Sequence, residues 1–248
     1  MQHPSTDIPG IECWRIDGGR GDLRVTITRE RPPAPTAAVE AEWARRVAAN
    51  PMLHDGGVLS VLGFDAETNA IAARRDTYKR LAVQPRVPTG VRLLAVTAVL
   101  RAVDAAGASH ALLGRRSHRT RIYGGCWELG PSGGVGLPQP AVEQMGLAEL
   151  CEHLIEEVRE ESGLRVHGPG VPVAYVRDHV ACSDDLVIVL EAGSLEAVQD
   201  AAGPANWEYD QTRWMPVTDA AAFDTEETIG ATRAIFRAMG WIRSTAAS

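Results

Sequence analysis

The stretch LAELCEHLIEEVREESGL, residues 147–164, carries the strongest structural signal in this chain. Its apolar residues recur at the spacing of one helix face, which predicts an amphipathic helix over 147–162 with that face in the core. These residues are Leu147, Leu150, Cys151, Leu154 and Val158. Gly163 follows, and glycine is favoured at a helix end because it adopts a left-handed backbone without steric penalty.

Three glutamates of this helix, Glu157, Glu160 and Glu161, stand at positions i, i+3 and i+4. Like charges at this spacing destabilise a helix, so we expect a compensating cation. Hard divalent cations such as Mg²⁺ prefer oxygen ligands and suit diphosphate substrates. A solvated acidic surface is the alternative interpretation, but the glycine loop and strand that precede the helix favour a metal site.

The segments around this helix predict a sheet and a closing helix. Strand patterns occupy 93–102, 111–115, 126–129, 171–177, 186–191 and 212–217, a Gly/Pro loop occupies 130–140, and a second helix occupies 232–239. Helices and strands do not alternate strictly, so the sequence predicts a layered α/β fold with a mixed sheet.

Residues 1–90 have a different pattern, and they predict a small α+β region. Strands are expected at 22–29, 58–64 and 71–73, and helices at 36–49 and 76–82. Pro85, Pro88 and Gly90 mark a linker. The predicted division is therefore an N-terminal region over 1–90 and a main domain over 91–248.

Composition narrows the choice of partners. The chain has 248 residues, with 32 acidic against 25 basic side chains and a net charge of −7. This balance argues against a nucleic-acid backbone or an anionic membrane, because both attract dense Lys and Arg. No apolar run suits a membrane span and no signal peptide is expected. The four cysteines form no CxxC pair, which predicts a cytoplasmic location.

The acidic helix resembles the motif of the Nudix hydrolase family. In that motif a glycine and a glutamate are followed by Arg-Glu-apolar-any-Glu-Glu-any-Gly-apolar. The stretch EEVREESGL at 156–164 is similar at every position but the first, and WELGPSGGVG at 127–136 resembles the family's strand and glycine loop. The resemblance covers about residues 91–245. It implies an α/β/α sandwich, with Glu157, Glu160 and Glu161 as catalytic ligands of Mg²⁺ or Mn²⁺.

Two departures from the motif stand out. Glu156 replaces an arginine that supports the catalytic carboxylates by charge pairing, and a nearby basic residue would have to substitute. The candidates are Arg115, Arg116 and Arg159.

The second departure is an insertion after the glycine loop. The distance from Gly133 to Glu156 is longer than in the family, so the first glutamate of the motif is displaced. Glu149 is the nearest candidate for it and Glu143 the next. The extra segment GLPQPAVEQM, residues 136–145, is expected to reshape or cover the pocket.

The resemblance implies hydrolysis of a diphosphate linked to another group. Bound metal would offset charge on the diphosphate and lower the pKa of an attacking water. The base would be Glu160 or a loop residue, the candidates being His179, Asp184, Asp185 and Glu208. The predicted substrate-binding residues of the glycine loop are Gly133 and Gly134. A run of arginines next to this loop supplies three more, Arg115, Arg116 and Arg121. Arg119 belongs to the same run.

The N-terminal region resembles an extension found in the UDP-sugar hydrolase branch of the family. By that resemblance, Asn50, Asp55, Tyr78 and Lys79 would contact a nucleotide; a capping subdomain is the alternative. Trp14, Trp43, Trp127, Trp207 and Trp214 are candidates for base stacking or for core packing.

Three hypotheses for the function follow. The first is a metal-dependent hydrolase of a nucleoside diphosphate linked to a small group, with a nucleotide sugar as the first choice. The second is a hydrolase of a prenyl or other non-nucleotide diphosphate. The third is a domain that binds a nucleotide or partner without turnover, because of Glu156. For the two hydrolase hypotheses the expected partner is a small-molecule diphosphate substrate, and the third also allows a partner protein. A homodimer is one assembly that the resemblance implies.

Overall fold

The computed structural model describes residues 4–5, 7–17, 22–200 and 207–243. Its strands are β1 Ile11–Arg15, β2 Arg24–Thr28, β3 Gly57–Asp65, β4 Ala70–Thr77, β5 Leu93–Val103, β6 Ser109–Arg116, β7 Trp127–Leu129, β8 Ser132–Gly134, β9 Gln144–Gly146, β10 Val171–Asp178, β11 Ser183–Ser194 and β12 Tyr209–Pro216. Its helices are α1 Ala37–Ala49, α2 Tyr78–Ala82, α3 Leu147–Ser162, α4 Leu195–Val198 and α5 Gly230–Ala238, with a 3₁₀ turn at Val217–Phe223. None of the described helices is long and apolar enough to span a membrane.

The described strands form one mixed sheet in the order β1-β10-β11-β5-β3-β4-β2-β9. Strand β5 also pairs with β6 and β8, and β6 also pairs with β12 and β7. The β11–β5 and β2–β4 pairs are parallel and the others are antiparallel. The predicted α/β class with a mixed sheet is confirmed, and the sheet does not close on itself.

Two helices cover opposite faces of the sheet. On β5, Leu94 and Val96 pack in one core cluster with Leu150 and Leu154 of α3. Val99 of the same strand lies on the other face of the sheet and belongs to a second cluster, which contains Phe236 of α5. Alternation along one strand thus sends successive side chains into two cores. This arrangement is the predicted α/β/α sandwich, with α3 at the predicted bounds.

Strands from the predicted N-terminal region belong to the same sheet. β3 pairs with β5 at Ser60↔Leu93, and β1 lies beside β10. Val25 and Ile71 from this region are buried in the cluster that contains α3. The predicted strands and helices at 22–82 are confirmed within a few residues, whereas the division at residue 90 stays a prediction.

The insertion after the glycine loop packs against the N-terminal strands. Its last residues form β9, an edge strand that pairs with β2. Arg75 of β4 donates hydrogen bonds to the backbone carbonyls of Pro138 (2.8 Å), Gln139 (2.8 Å) and Val142 (3.1 Å). One side chain therefore satisfies three carbonyls of a segment that has little secondary structure of its own.

We expect Arg75→Met to lower the free energy of unfolding by about 1–3 kcal/mol, because these carbonyls lose a charged donor. Amide exchange should rise across residues 136–146. Urea unfolding and exchange mass spectrometry measure the two effects. The control is Arg29→Met, since Arg29 pairs with Glu143 on the surface with its side chain 88% exposed; its cost should stay below about 1 kcal/mol. Equal results for both variants would contradict the role given to Arg75.

Candidate active site

The C-terminal part of α3 and strand β8 border a cavity of about 380 Å³. Glu157 and Glu161 line it from α3, and Gly133 and Gly134 line it from β8. Two of the predicted catalytic glutamates and both predicted glycines therefore meet at one site. No residue of the insertion 136–145 is part of its described lining. The insertion therefore does not cover the cavity, and its expected effect on the shape of the pocket stays a prediction.

Glu157 and Glu161 are closely packed against the wall of the cavity. A Cβ atom placed on Gly133 would lie 2.2 Å from Cδ of Glu157, so the carboxylate rests directly on the glycine backbone. Glu161 is 2% exposed, and its Oε2 atom is buried without a hydrogen-bond partner. An unpaired buried carboxylate oxygen is costly unless a cation or a proton satisfies it.

Glu160 lies elsewhere. Its side chain is 55% exposed, and its Oε1 atom is 3.6 Å from Arg159 on the outer side of α3. Arg159 also pairs with Glu156, which therefore lies on the surface too. The structure does not bring Glu160 into the cavity.

Two further glutamates line the same end of the cavity: Glu128 of β7 and Glu208, next to β12. Burial, and then the charges of Glu208, Glu160 and Glu156, raise the pKa of Glu157 to about 7. Burial is also the main cause of the raised pKa of Glu161, followed by the charges of Glu208, Glu128 and Glu157. We call Glu128, Glu157, Glu161 and Glu208 the acidic end of the cavity.

One arginine is paired with this acidic end. Nη1 of Arg116 lies 2.5 Å from Oε1 of Glu128, and the Tyr209 hydroxyl donates to the same oxygen at 3.0 Å. Burial raises the pKa of Glu128, and Arg116 opposes that rise. The charge of Glu128 in turn raises the pKa of Arg116 against the effect of burial.

The other predicted arginines are placed differently. Arg121 lines the cavity and donates to the Ala181 carbonyl at 2.7 Å, and burial lowers its pKa. No carboxylate of the described residues forms an ion pair with it. Arg115 donates to the Gly125 carbonyl at 3.0 Å and is not part of the lining, and Arg119 is exposed.

Polar and aromatic groups line the remainder of the cavity. Asp185 accepts hydrogen bonds from Thr97 (3.1 Å) and Ser183 (2.7 Å), while burial raises its pKa to about 6. Tyr78 of α2 and Tyr123 also line this part. Because α2 belongs to the N-terminal region, that region contributes directly to the cavity wall.

Several other candidates from the sequence lie outside the cavity. His179 lies 3.6 Å from Glu12 and is half exposed, and Asp184 is buried in ion pairs with Arg92 and Arg177. Glu149 accepts from the Gly146 amide at the start of α3, and Glu143 pairs with Arg29. Of Asn50, Asp55, Tyr78 and Lys79, only Tyr78 is part of the lining, and of the five candidate tryptophans only Trp207 is.

The donor set of the acidic end fits a hard divalent cation. Carboxylate oxygens are the ligands that Mg²⁺ and Mn²⁺ prefer, and Glu161 offers an unpaired buried oxygen. Within the described ranges no three Asp, Glu, His or Cys side chains are already spaced for coordination. Binding would therefore require a small rearrangement of side chains at the acidic end.

The raised pKa of Glu157 predicts how metal-free stability depends on pH. A carboxyl whose pKa is higher in the folded state destabilises that state as pH rises from about 4.5 to about 7. Glu157→Gln removes this cost. With chelator present, we expect the variant to be more stable than the parent by about 1–3 kcal/mol at about pH 8 and equally stable below about pH 4.5. Thermal unfolding across this range measures the difference, and Glu152→Gln, on the exposed side of α3, is the matched control. An identical pH dependence in parent and variant would contradict a raised pKa at Glu157.

No protein-family model matches the chain, and no curated protein matches it. Similar solved structures include RenU, a Nudix hydrolase from M. Smegmatis, at 20% identity and a TM-score of 0.42 over 60% of this chain and 84% of that one. A MutT protein from Methanosarcina mazei Go1 is 22% identical, with a TM-score of 0.41, over 59% and 91% of the two chains. A C. elegans Ap4A hydrolase is 16% identical, with a TM-score of 0.39, over 60% and 95%.

Proposed function

We propose that this chain is a divalent-metal-dependent hydrolase that cleaves the diphosphate linkage of a nucleoside diphosphate joined to a small group, a nucleotide sugar above all. The observation that carries the proposal is the buried, unpaired Oε2 of Glu161 beside Glu157 in a solvent-connected cavity. The motif resemblance of residues 156–164 points to the same chemistry.

The proposed reaction adds water across the P–O–P linkage and releases two phosphate esters. A Mg²⁺ or Mn²⁺ ion held by Glu157 and Glu161 would offset phosphate charge and lower the pKa of the attacking water. Of the base candidates, Asp185 and Glu208 line the cavity. We assign the base to Glu208, because it lines the same end of the cavity as Glu157 and Glu161.

Other residues of the cavity suit the two groups joined by the diphosphate. Arg121 offers a cation that no described carboxylate pairs with, which suits a phosphate oxygen. Thr97, Ser183 and Asp185 offer donors and acceptors for sugar hydroxyls. The ring of Tyr78 provides a flat surface for a base. These features favour a nucleotide sugar over a prenyl diphosphate, whose chain has no polar group to recognise.

A product-resolved hydrolysis screen tests the proposal. The purified chain is incubated with Mg²⁺ or Mn²⁺ and with UDP-glucose, ADP-ribose, NADH, dinucleoside polyphosphates, nucleoside triphosphates and geranyl diphosphate. We expect metal-dependent release of a nucleoside monophosphate and a sugar phosphate, and release that is slower by about 10²–10³-fold from a Glu161→Gln preparation. Cleavage of geranyl diphosphate alone would replace the substrate class. Thermal stabilisation by a nucleotide with no product would support a binding domain instead.

A further inference from the structure

The acidic end of the cavity brings four carboxylates together. Four carboxylates line it, and the charges of Glu208, Glu128 and Glu157 all act on Glu161. The arginines of the described lining are Arg116 and Arg121. Arg116 forms an ion pair with Glu128.

The position where the motif places its arginine supplies no cation to this end of the cavity. Glu156 stands there, exposed and paired with Arg159. Arg159 lies on the same outer side of α3, with its side chain 53% exposed. Arg115 is directed at the Gly125 carbonyl. Of the three basic residues that the sequence offers as a substitute, Arg116 alone reaches the cavity.

Arg116 is fixed in place by several contacts. Its side chain is 17% exposed, its Nη1 pairs with Glu128, and its Nε donates to the Ile122 carbonyl at 3.3 Å. Its backbone amide donates to the Cys126 carbonyl at 2.8 Å. A guanidinium held at several atoms has already lost most of its rotamer freedom, so it can orient a carboxylate at little further entropic cost.

The partner carboxylate is oriented from its other side by Tyr209. Strands β7, β6 and β12 lie side by side, with Gly114 opposite Glu128 and Arg116 opposite Tyr209. A Cβ atom on Gly114 or Gly130 would come within 2.4 Å of the Tyr209 side chain. Both glycines therefore make room for the tyrosine that donates to Glu128. The pair is built into the sheet rather than formed by chance on a surface.

We propose that Arg116, acting through Glu128, is the positioning residue that holds the acidic end of the cavity in its working arrangement, in place of the arginine absent at position 156. The inference rests on the proposed function. Without Arg116, Glu128 would be a buried carboxylate next to other carboxylates, with only the Tyr209 hydroxyl to stabilise it. It would take up a proton or rotate, and the neighbouring Glu161 would lose its present surroundings.

This role differs from that of a phosphate clamp, and the difference is measurable. A residue that binds substrate equally in the ground state and the transition state changes KM, whereas one that arranges the reacting groups changes kcat. The guanidinium of Arg116 is already committed to Glu128. Its loss should therefore lower kcat and leave KM nearly unchanged.

The experiment measures kcat, KM and the pH profile of kcat for the parent, Arg116→Met, Arg116→Lys and Arg116→Met combined with Glu128→Gln. Arg159→Met is the matched control, since it removes an arginine near the motif but outside the cavity. For Arg116→Met we expect kcat to fall by at least about 30-fold with KM within about 3-fold. Arg116→Lys should recover part of the loss of kcat, because lysine keeps the positive charge but lacks the planar guanidinium with its several N–H donors. The double variant should be more active than Arg116→Met alone, because no uncompensated carboxylate is left.

The alternative outcomes are distinct. A parent enzyme that cleaves no diphosphate overturns the proposed function and this inference together. A parent that is active, with an Arg116→Met variant that keeps its kcat, overturns the inference alone. A rise in KM with unchanged kcat makes Arg116 a phosphate ligand and also overturns it. If Arg116→Met does not fold, Arg116→Lys carries the test, and a lysine variant with parental kcat and pH profile overturns the positioning role.

Discussion

Replacing Glu161 by glutamine is expected to lower metal-dependent hydrolysis by about 10²–10³-fold, the largest effect that we expect from any single substitution in this chain. Glutamine keeps the size of the side chain and removes one negative charge from a position that is 2% exposed. Stabilisation of transition-state charge by a metal is worth several kcal/mol, and each 1.36 kcal/mol is a factor of ten in rate. Affinity for Mn²⁺ should fall as well, which calorimetry with the metal alone measures.

Glu160→Gln provides the informative comparison. All three glutamates of the motif are expected to bind metal if the resemblance holds at each position, and the two variants would then lose similar activity. The position of Glu160 on the outer side of α3 predicts a loss of only about 3-fold instead. Glu152→Gln, an exposed residue of the same helix, controls for a general effect of charge. Parental activity in Glu161→Gln would contradict the assignment of the site to this end of the cavity.

The different positions of Glu160 and Glu161 show what helical spacing alone leaves open. The sequence places three glutamates on one adjoining face, and α3 itself is predicted at its bounds. Glu157 and Glu161 are one turn apart and flank the buried Val158, so they follow the apolar stripe toward the sheet. Glu160 is one turn beyond Glu156, on the exposed side. A glutamate that borders the apolar stripe therefore faces the sheet, and one on the opposite side of the helix faces solvent.

The remainder of the acidic end depends on contacts that no local pattern encodes. Glu128 and Arg116 are far from α3 in sequence, and the pairing of β7 with β6 brings them together. The one available signal was a glutamate in the otherwise apolar strand segment WEL, because buried acidic residues are paired or functional. Short edge strands such as β1 and β9 were not predicted, since tertiary pairing rather than propensity determines them.

Gly133→Ala should separate activity from stability in this protein. A Cβ at this position would lie 2.2 Å from Cδ of Glu157, closer than atoms can approach. The clash falls on the far end of a flexible side chain and not on backbone, so Glu157 can rotate away and the fold loses little stability. The carboxylate that moves is nevertheless one of the two from α3 that face the cavity, and a displacement of about 1 Å in a catalytic group can cost about 100-fold in rate. We therefore expect roughly 100-fold lower kcat with a Tm within about 2–3 °C of the parent.

Gly63→Ala is the matched control, because no atom lies within 4 Å of its Cβ position; it should change neither quantity. Full activity in Gly133→Ala would mean that Glu157 does not need its contact with the glycine backbone, and a large drop in Tm would mean that the glycine serves the fold rather than the site.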